Sequence, residues 1–200
     1  MEVVLLRRLL PALLPLALAA CGINSVPTAE ETAKARWADV EAAYQRRASL
    51  IPNLEATVKG AAGSERQILT EVIDARARAT QVRLDASELG DPAKVQAFAA
   101  AQGQLNGSIG RLLANVEAYP TLRSQQGFSD LMVQLEGSEN RISTAIRDYN
   151  EAVQDYNTRI RTFPDAIGAR VIHGAKPLVP YRATTPGAET APKVDFGNQG

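Results

Sequence analysis

Cysteine and histidine are nearly missing from this chain. There is one of each, Cys21 and His173. A lone cysteine excludes an intrachain disulfide. A zinc site built from such residues needs about four ligands, or about three with a water, so no metal is expected and none of the usual metal chemistry. Histidine-dependent catalysis would rest on His173 alone, in a Pro/Gly-rich stretch. Aromatic residues make up only 5% of the chain. Alanine is abundant, and that balance favours helices over sheets, because strands draw on β-branched and aromatic side chains. Net charge is also lacking, with 22 basic and 22 acidic groups. Removing residues 1–20 takes away Arg7, Arg8 and Glu2 and leaves −1, so no bulk attraction for nucleic acid is expected. Finally, no apolar run is long enough to span a bilayer. The run Leu9–Ala20 has 12 residues, against the roughly 20 that a spanning helix needs.

What the N-terminus does have is a targeting pattern. Arg7 and Arg8 precede the apolar run, which contains Pro11 and Pro15 and ends in Leu18-Ala19-Ala20-Cys21. This reads as a signal peptide over residues 1–20. Its end resembles the lipobox of bacterial lipoproteins, in which the cysteine is acylated and becomes the first residue of the mature chain. Two or three acyl chains make a stable anchor where one is marginal. Cys21 is therefore the expected lipidation site, with residues 21–28 as lipidated cysteine and polar tether. Gly22, where inner-membrane lipoproteins of Gram-negative bacteria tend to carry Asp, favours the outer membrane for such a host.

Beyond the tether, Thr28 is a candidate helix cap followed by Glu30 and Glu31. Trp37, Tyr44, Ile51 and Val58 recur every seven residues, with Val40 and Leu54 between them and Arg47 on the same intermediate row. Pro52 falls inside this pattern without disturbing its phase, which predicts a kinked but continuous helix. Gly60 and Gly63 weaken that helix without ending it. Gly90-Asp91-Pro92 is a stop and restart signal. The next helix carries Phe98, Leu105, Leu112 and Tyr119 on one row. Val95, Gln102, Ile109 and Val116 form the other. The last carries Phe128, Leu135, Ile142, Tyr149, Tyr156 and Phe163, with Met132, Ile146, Val153 and Ile160 as companions and Glu139 intruding. Residues 165–200 are rich in Pro and Gly and predict an extended or disordered tail. The expected fold is all-α: an antiparallel up-down helical bundle over residues 29–164, of three long helices, or four if the first breaks at Pro52.

Several stretches together carry a family resemblance. They are Arg46-Arg47 through Leu50-Ile51-Pro52-Asn53-Leu54 to Val58-Lys59-Gly60; Tyr119-Pro120-Thr121-Leu122-Arg123; Leu135-Glu136 with Glu139-Asn140; Tyr149-Asn150, Tyr156-Asn157 and Phe163-Pro164; and Pro192-Lys193-Val194-Asp195-Phe196. In order and approximate spacing this resembles the LemA family, from about Arg36 to Phe196. The resemblance implies a membrane-anchored helical bundle with no established enzymatic activity and no catalytic residue to carry over. Many members have an N-terminal transmembrane helix, which this chain replaces with the segment ending at Cys21. The stretch from Gly168 to Tyr181 lacks the Gly-Phe-rich run that many members have.

The polar residues that interrupt or flank the apolar rows are the candidate contacts between helices or with a partner: Arg46, Arg47, Asn53, Glu139, Asn140, Asn150 and Asn157. A carboxylate in an apolar seam is costly unless paired, so Glu139 is expected to pair with Arg46 or Arg47. The Tyr-Asn repeat reads first as core tyrosines whose edge hydroxyls reach solvent, with each Asn hydrogen-bonding a neighbouring helix, and second as a polar ladder for a peptide or glycan. The expected function is that of a lipid-anchored cell-envelope protein facing the periplasm, a non-enzymatic scaffold or regulator of other envelope components. It would need no cofactor, meet the membrane through Cys21, and engage an unidentified envelope protein or a second copy of itself. The alternative is a binding module for a small molecule or cell-wall fragment, in a cleft near Arg46, Arg47, Asn53 and Glu139.

Overall fold

A computed structural model of the chain describes residues 2–58, 64–116 and 126–182. Among these residues the fold is all-α. Helix α1 spans Glu2–Val58, α2 Ser64–Gln81, α3 Pro92–Val116, α4 Gln126–Arg159 and α5 Asp165–Val171, with a 3-10 turn at Ala86–Glu88 between α2 and α3. An extended segment, 174–182, follows α5.

The heptad rows account for the long helices. In α1 the buried positions are Val26, Ala29, Ala33, Trp37, Val40, Tyr44, Arg47 and Ile51, steps of three and four that keep one stripe facing inward. The helix runs on past Pro52 to Val58, so the expected continuity there holds. It begins far earlier than expected. Gly22–Thr28 is helical, not a tether, and Thr28 does not cap anything: its hydroxyl donates to the Asn24 carbonyl one turn back at 2.7 Å. Val26 is fully buried, which supplies the reason. An apolar contact at residue 26 holds the helix past the polar residues around it.

The expected single helix to Glu88 is two. Residues 59–63, including Gly60 and Gly63, lie outside the described residues. On either side the chain runs antiparallel: Arg76 Nε donates to the Ala48 carbonyl at 3.0 Å, and Trp37 Nε1 to the Leu84 carbonyl at 2.9 Å. Helix α3 starts as read from sequence, at Pro92, with Asp91 Oδ1 accepting from the Ala93 amide at 2.9 Å. It runs antiparallel to α2, since Gln102 meets Ala79 and Arg111 meets Glu71. Helix α4 is antiparallel to α1: Tyr149 packs on Trp37 and Glu139 on Arg47.

In α4 one predicted row holds: Leu135, Ile142, Tyr149 and Tyr156 are buried. The companion row is Leu131, Ser138 and Ala145, then Val153 and Ile160. It shifts by one residue between Ala145 and Val153, because a helix of 3.6 residues per turn drifts about 20° per heptad against a strict seven-residue repeat. Phe163 leaves the row altogether. The helix ends at Arg159, and Phe163 is 76% exposed. Tyr119, Phe128 and the stretches 117–125 and 183–200 provide no side-chain test of their predicted places, because they lie outside the residues or side chains described.

The tail prediction needs the largest change. Residues 165–182 are packed. Ala169 of α5 sits with Val26, Ala29, Tyr156 and Ile160. Gly174, at φ +55°, turns the chain back along α4, a conformation that costs glycine nothing. Tyr181 then enters the main core cluster beside Trp37, Tyr44, Phe98 and Tyr149.

Candidate functional site

Arg47 is 1% exposed. It occupies the α1 row that elsewhere holds Val26, Ala33 and Val40, so the helix leaves it nowhere to point but inward. Its guanidinium then requires acceptors. Nη1 donates to Glu139 Oε1 at 2.9 Å, and Nη2 to Gln102 Oε1 at 3.0 Å and the Gln102 carbonyl at 3.3 Å. Gln102 Nε2 continues to the Ala79 carbonyl at 3.3 Å. The guanidinium carbon lies 5.0 Å from the Tyr44 ring centroid, within cation–π range. Nε is buried with no hydrogen-bond partner. One side chain thus ties α1 to α3 and α4 and, through Gln102, to α2.

Arg46 is one position round the helix and exposed, so Arg47 is the partner of Glu139. Glu139 lies less deep than its place in the heptad row implies: its side chain is 40% exposed, and Ser138 takes the buried position beside it. Asn53 and Asn140 are exposed. Among the described residues, the cavities are not lined by Arg46, Arg47, Asn53 or Glu139. A cavity of about 570 Å³ opens elsewhere, between α1, α2 and the start of α3, lined by Glu41, Tyr44, Arg76, Arg83, Asp85 and Gln102 among others. Burial, and then the charge of Asp85, hold the Glu41 carboxyl above its ordinary range.

The Tyr-Asn repeat forms a second assembly. Asn157 Nδ2 donates to the Leu178 carbonyl at 2.8 Å, and its Oδ1 accepts from the Leu178 amide at 2.9 Å. Asn150 does the same to Tyr181, at 2.9 and 2.8 Å. Tyr149 donates to the Val179 carbonyl at 2.9 Å and Tyr156 to the Lys176 carbonyl at 3.0 Å. Seven helical residues advance about 10.5 Å, and three extended residues about 10 Å. The two repeats stay in step, so each asparagine completes both polar groups of one residue of the extended segment 174–182, a strap along α4, as a neighbouring strand would. At the upper end the Tyr44 and Tyr181 hydroxyls meet at 2.7 Å. Burial pushes the phenols of Tyr149 and Tyr181 well above their ordinary range, and those of Tyr44 and Tyr156 upward as well.

Sequence reasoning missed the strap as the partner of the asparagines. Leu178-Val179-Pro180-Tyr181 is a short apolar cluster in a polar tail, and that was the available signal. His173 is exposed, and no group of three or more His, Cys, Asp or Glu among the described residues is placed to hold a metal.

A profile of the LemA family matches residues 36–196. The chain belongs to the LemA family. It is 31% identical over 157 residues to the magnetosome proteins MamQ 1 and MamQ 2 of Paramagnetospirillum magneticum, and 29% identical over the same length to the magnetosome protein MamQ of Magnetospirillum gryphiswaldense. Each alignment covers 70% of this chain and 58% of the relative, so the chain spans less than two thirds of those proteins. None of the described helices is long and apolar enough to cross a membrane.

Proposed function

We propose that this LemA-family chain is a lipid-anchored protein of the cell envelope, whose four long helices form an up-down bundle acting as a non-enzymatic scaffold or regulator of other envelope components. The observation that carries the reading is the continuity of α1. From Cys21 it runs without a break to the buried Val26. A lipid on Cys21 would then hold the bundle directly on the membrane, on its periplasmic side, at the outer membrane in a Gram-negative host. The polar groups at the helix seams are engaged within the chain: Arg47 with Glu139 and Gln102, the asparagines with the strap. That supports a structural role for them. The similarity to magnetosome proteins supports a membrane-associated role.

Cys21→Ser, or inhibition of the lipoprotein signal peptidase, should release or mislocalise the protein. A Cys21→Ser form that keeps wild-type membrane association with its signal still cleaved refutes the anchor. Crosslinking in intact cells should recover an envelope protein or a second copy of this chain in repeated trials. Recovery of neither refutes the scaffold.

The binding-module reading moves to the cavity between α1, α2 and α3, which Glu41, Arg76, Arg83 and Asp85 help to line. Binding of a cell-wall fragment that survives Arg76→Ala together with Arg83→Ala would remove that cavity from consideration.

A further inference from the structure

Six large apolar side chains are exposed among the described residues, and four of them fall between residues 163 and 172: Phe163 at 76%, Ile167 at 58%, Val171 at 79% and Ile172 at 55%. Phe163, Ile167 and Val171 are four apart, which stacks Ile167 and Val171 on one face of α5 with Phe163 at its approach. The opposite face of α5 is the docked one: Gly168 and Ala169 are buried, Ala169 against Val26 and Ala29 of α1. The outward stripe is therefore apolar by sequence and has no partner within the described chain.

Its place in the fold says what it meets. α5 sits on the first turns of the packed part of α1. Val26 is five residues beyond Cys21 on a continuous helix, about 7.5 Å along the axis. Interfacial apolar faces sink about 5–10 Å into the boundary between headgroups and acyl chains. The stripe is thus at the height of the surface that an anchor at Cys21 would touch. The flanking charge fits the same surface. Arg161, Arg170 and Lys176 are exposed on the chain beside it, and the only acid between residues 160 and 176 is Asp165, which faces Arg159 at 3.9 Å. Basic groups beside an apolar stripe match anionic headgroups over acyl chains.

We propose that Phe163, Ile167, Val171 and Ile172 form a second membrane contact, which lays the α5 end of the bundle on an anionic bilayer beside the N-terminal anchor. The inference rests on the anchored reading above. It adds that the bundle is fixed to the membrane at two points and has one face turned to it. Two points resist swivelling, as one does not.

The test uses the full lipidated protein in vesicles of phosphatidylethanolamine and phosphatidylglycerol with brominated acyl chains. F163W places an indole in the stripe. V133W places one at another exposed apolar position, on α4 beside the residues that pack on Ile51, about 38 Å along α1 from Val26. The native Trp37 is fully buried and common to both. The introduced indole of F163W should be quenched, and that of V133W should not. Protein that floats with the vesicles while F163W is quenched no more than V133W overturns the second contact and leaves the anchor standing. Protein that neither floats nor is quenched overturns both. In the lipid-free Cys21→Ser form, Ile167→Asp with Val171→Asp should lower binding to phosphatidylglycerol vesicles about tenfold or more at unchanged helicity. Unchanged binding, or a stripe buried instead in a dimer by sedimentation equilibrium, overturns the proposal.

Discussion

Glu139→Leu removes the carboxylate on which Arg47 closes, and the cost follows from where the two charges sit. The Arg47 side chain is 2% exposed and that of Glu139 is 40% exposed. Taking one partner from a fully buried pair costs about 3–5 kcal/mol. Here the carboxylate is already partly in water, and Gln102 still accepts from Nη2. With that discount the expected loss is about 2–3 kcal/mol. The reciprocal change is milder. In Arg47→Met, Glu139 turns to solvent and a flexible apolar chain fills the space. The remaining cost is that of an unpaired Gln102 Oε1, about 1 kcal/mol. The double variant also leaves Gln102 unpaired but strands no charge, so it should match Arg47→Met and not the sum of the two. Urea unfolding followed by far-UV circular dichroism gives all four corners of the cycle. A coupling of about 2 kcal/mol is expected, with the Glu139→Leu midpoint moved to lower urea. A coupling below about 0.5 kcal/mol, or a Glu139→Leu protein more stable than wild type, would falsify the view that Glu139 is what makes the buried guanidinium tolerable.

Asn150→Asp and Asn157→Asp each exchange a donor to the strap for a carboxylate facing a carbonyl, and each should cost about 2–3 kcal/mol locally. Hydrogen exchange at the Tyr181 and Leu178 amides reads this directly, and unchanged protection would show that the strap does not depend on the asparagines. Alkaline pH should unfold the protein cooperatively. The four phenols that burial holds above their ordinary pKa of about 10 bind their protons more tightly folded than unfolded. That stability is complete below about pH 10 and falls as pH rises towards the folded values, by about 1.4 kcal/mol per pH unit for each strongly raised phenol, Tyr149 and Tyr181 first. In a Tyr119→Phe background, which leaves only these four phenols, phenolate absorbance appearing near pH 10 with helicity intact would contradict it.

The rows of α1 and α3 were legible because seven-residue spacing maps onto burial without interpretation: Trp37, Tyr44 and Ile51, and Phe98, Leu105 and Leu112, all lie inside. The ion pair was legible for the same reason, since Arg47 and Glu139 were the charged members of otherwise apolar rows. The depth of Glu139 was not, because the row in α4 drifts by one residue and a fixed repeat cannot show where. Nor was the early start of α1. Gly22, Asn24, Ser25 and Pro27 are poor helix formers, and the contacts of Val26 with α4 and α5 override them. The strap was illegible because its partners lie 20 to 31 residues away and meet its backbone, and a hydrogen bond to the main chain leaves no mark on the strap's side chains.

Tyr181 joins a ring cluster whose other members begin at Trp37, and its hydroxyl meets that of Tyr44 across 137 positions of chain. The core is therefore completed from its C-terminal end. During synthesis or export, Trp37, Tyr44 and Phe98 exist long before the residue that covers them. A product cut short before position 181 would keep its helices and present an open aromatic socket. Only a chain made past Tyr181 closes that socket, so this late-made segment marks the point at which the core is complete.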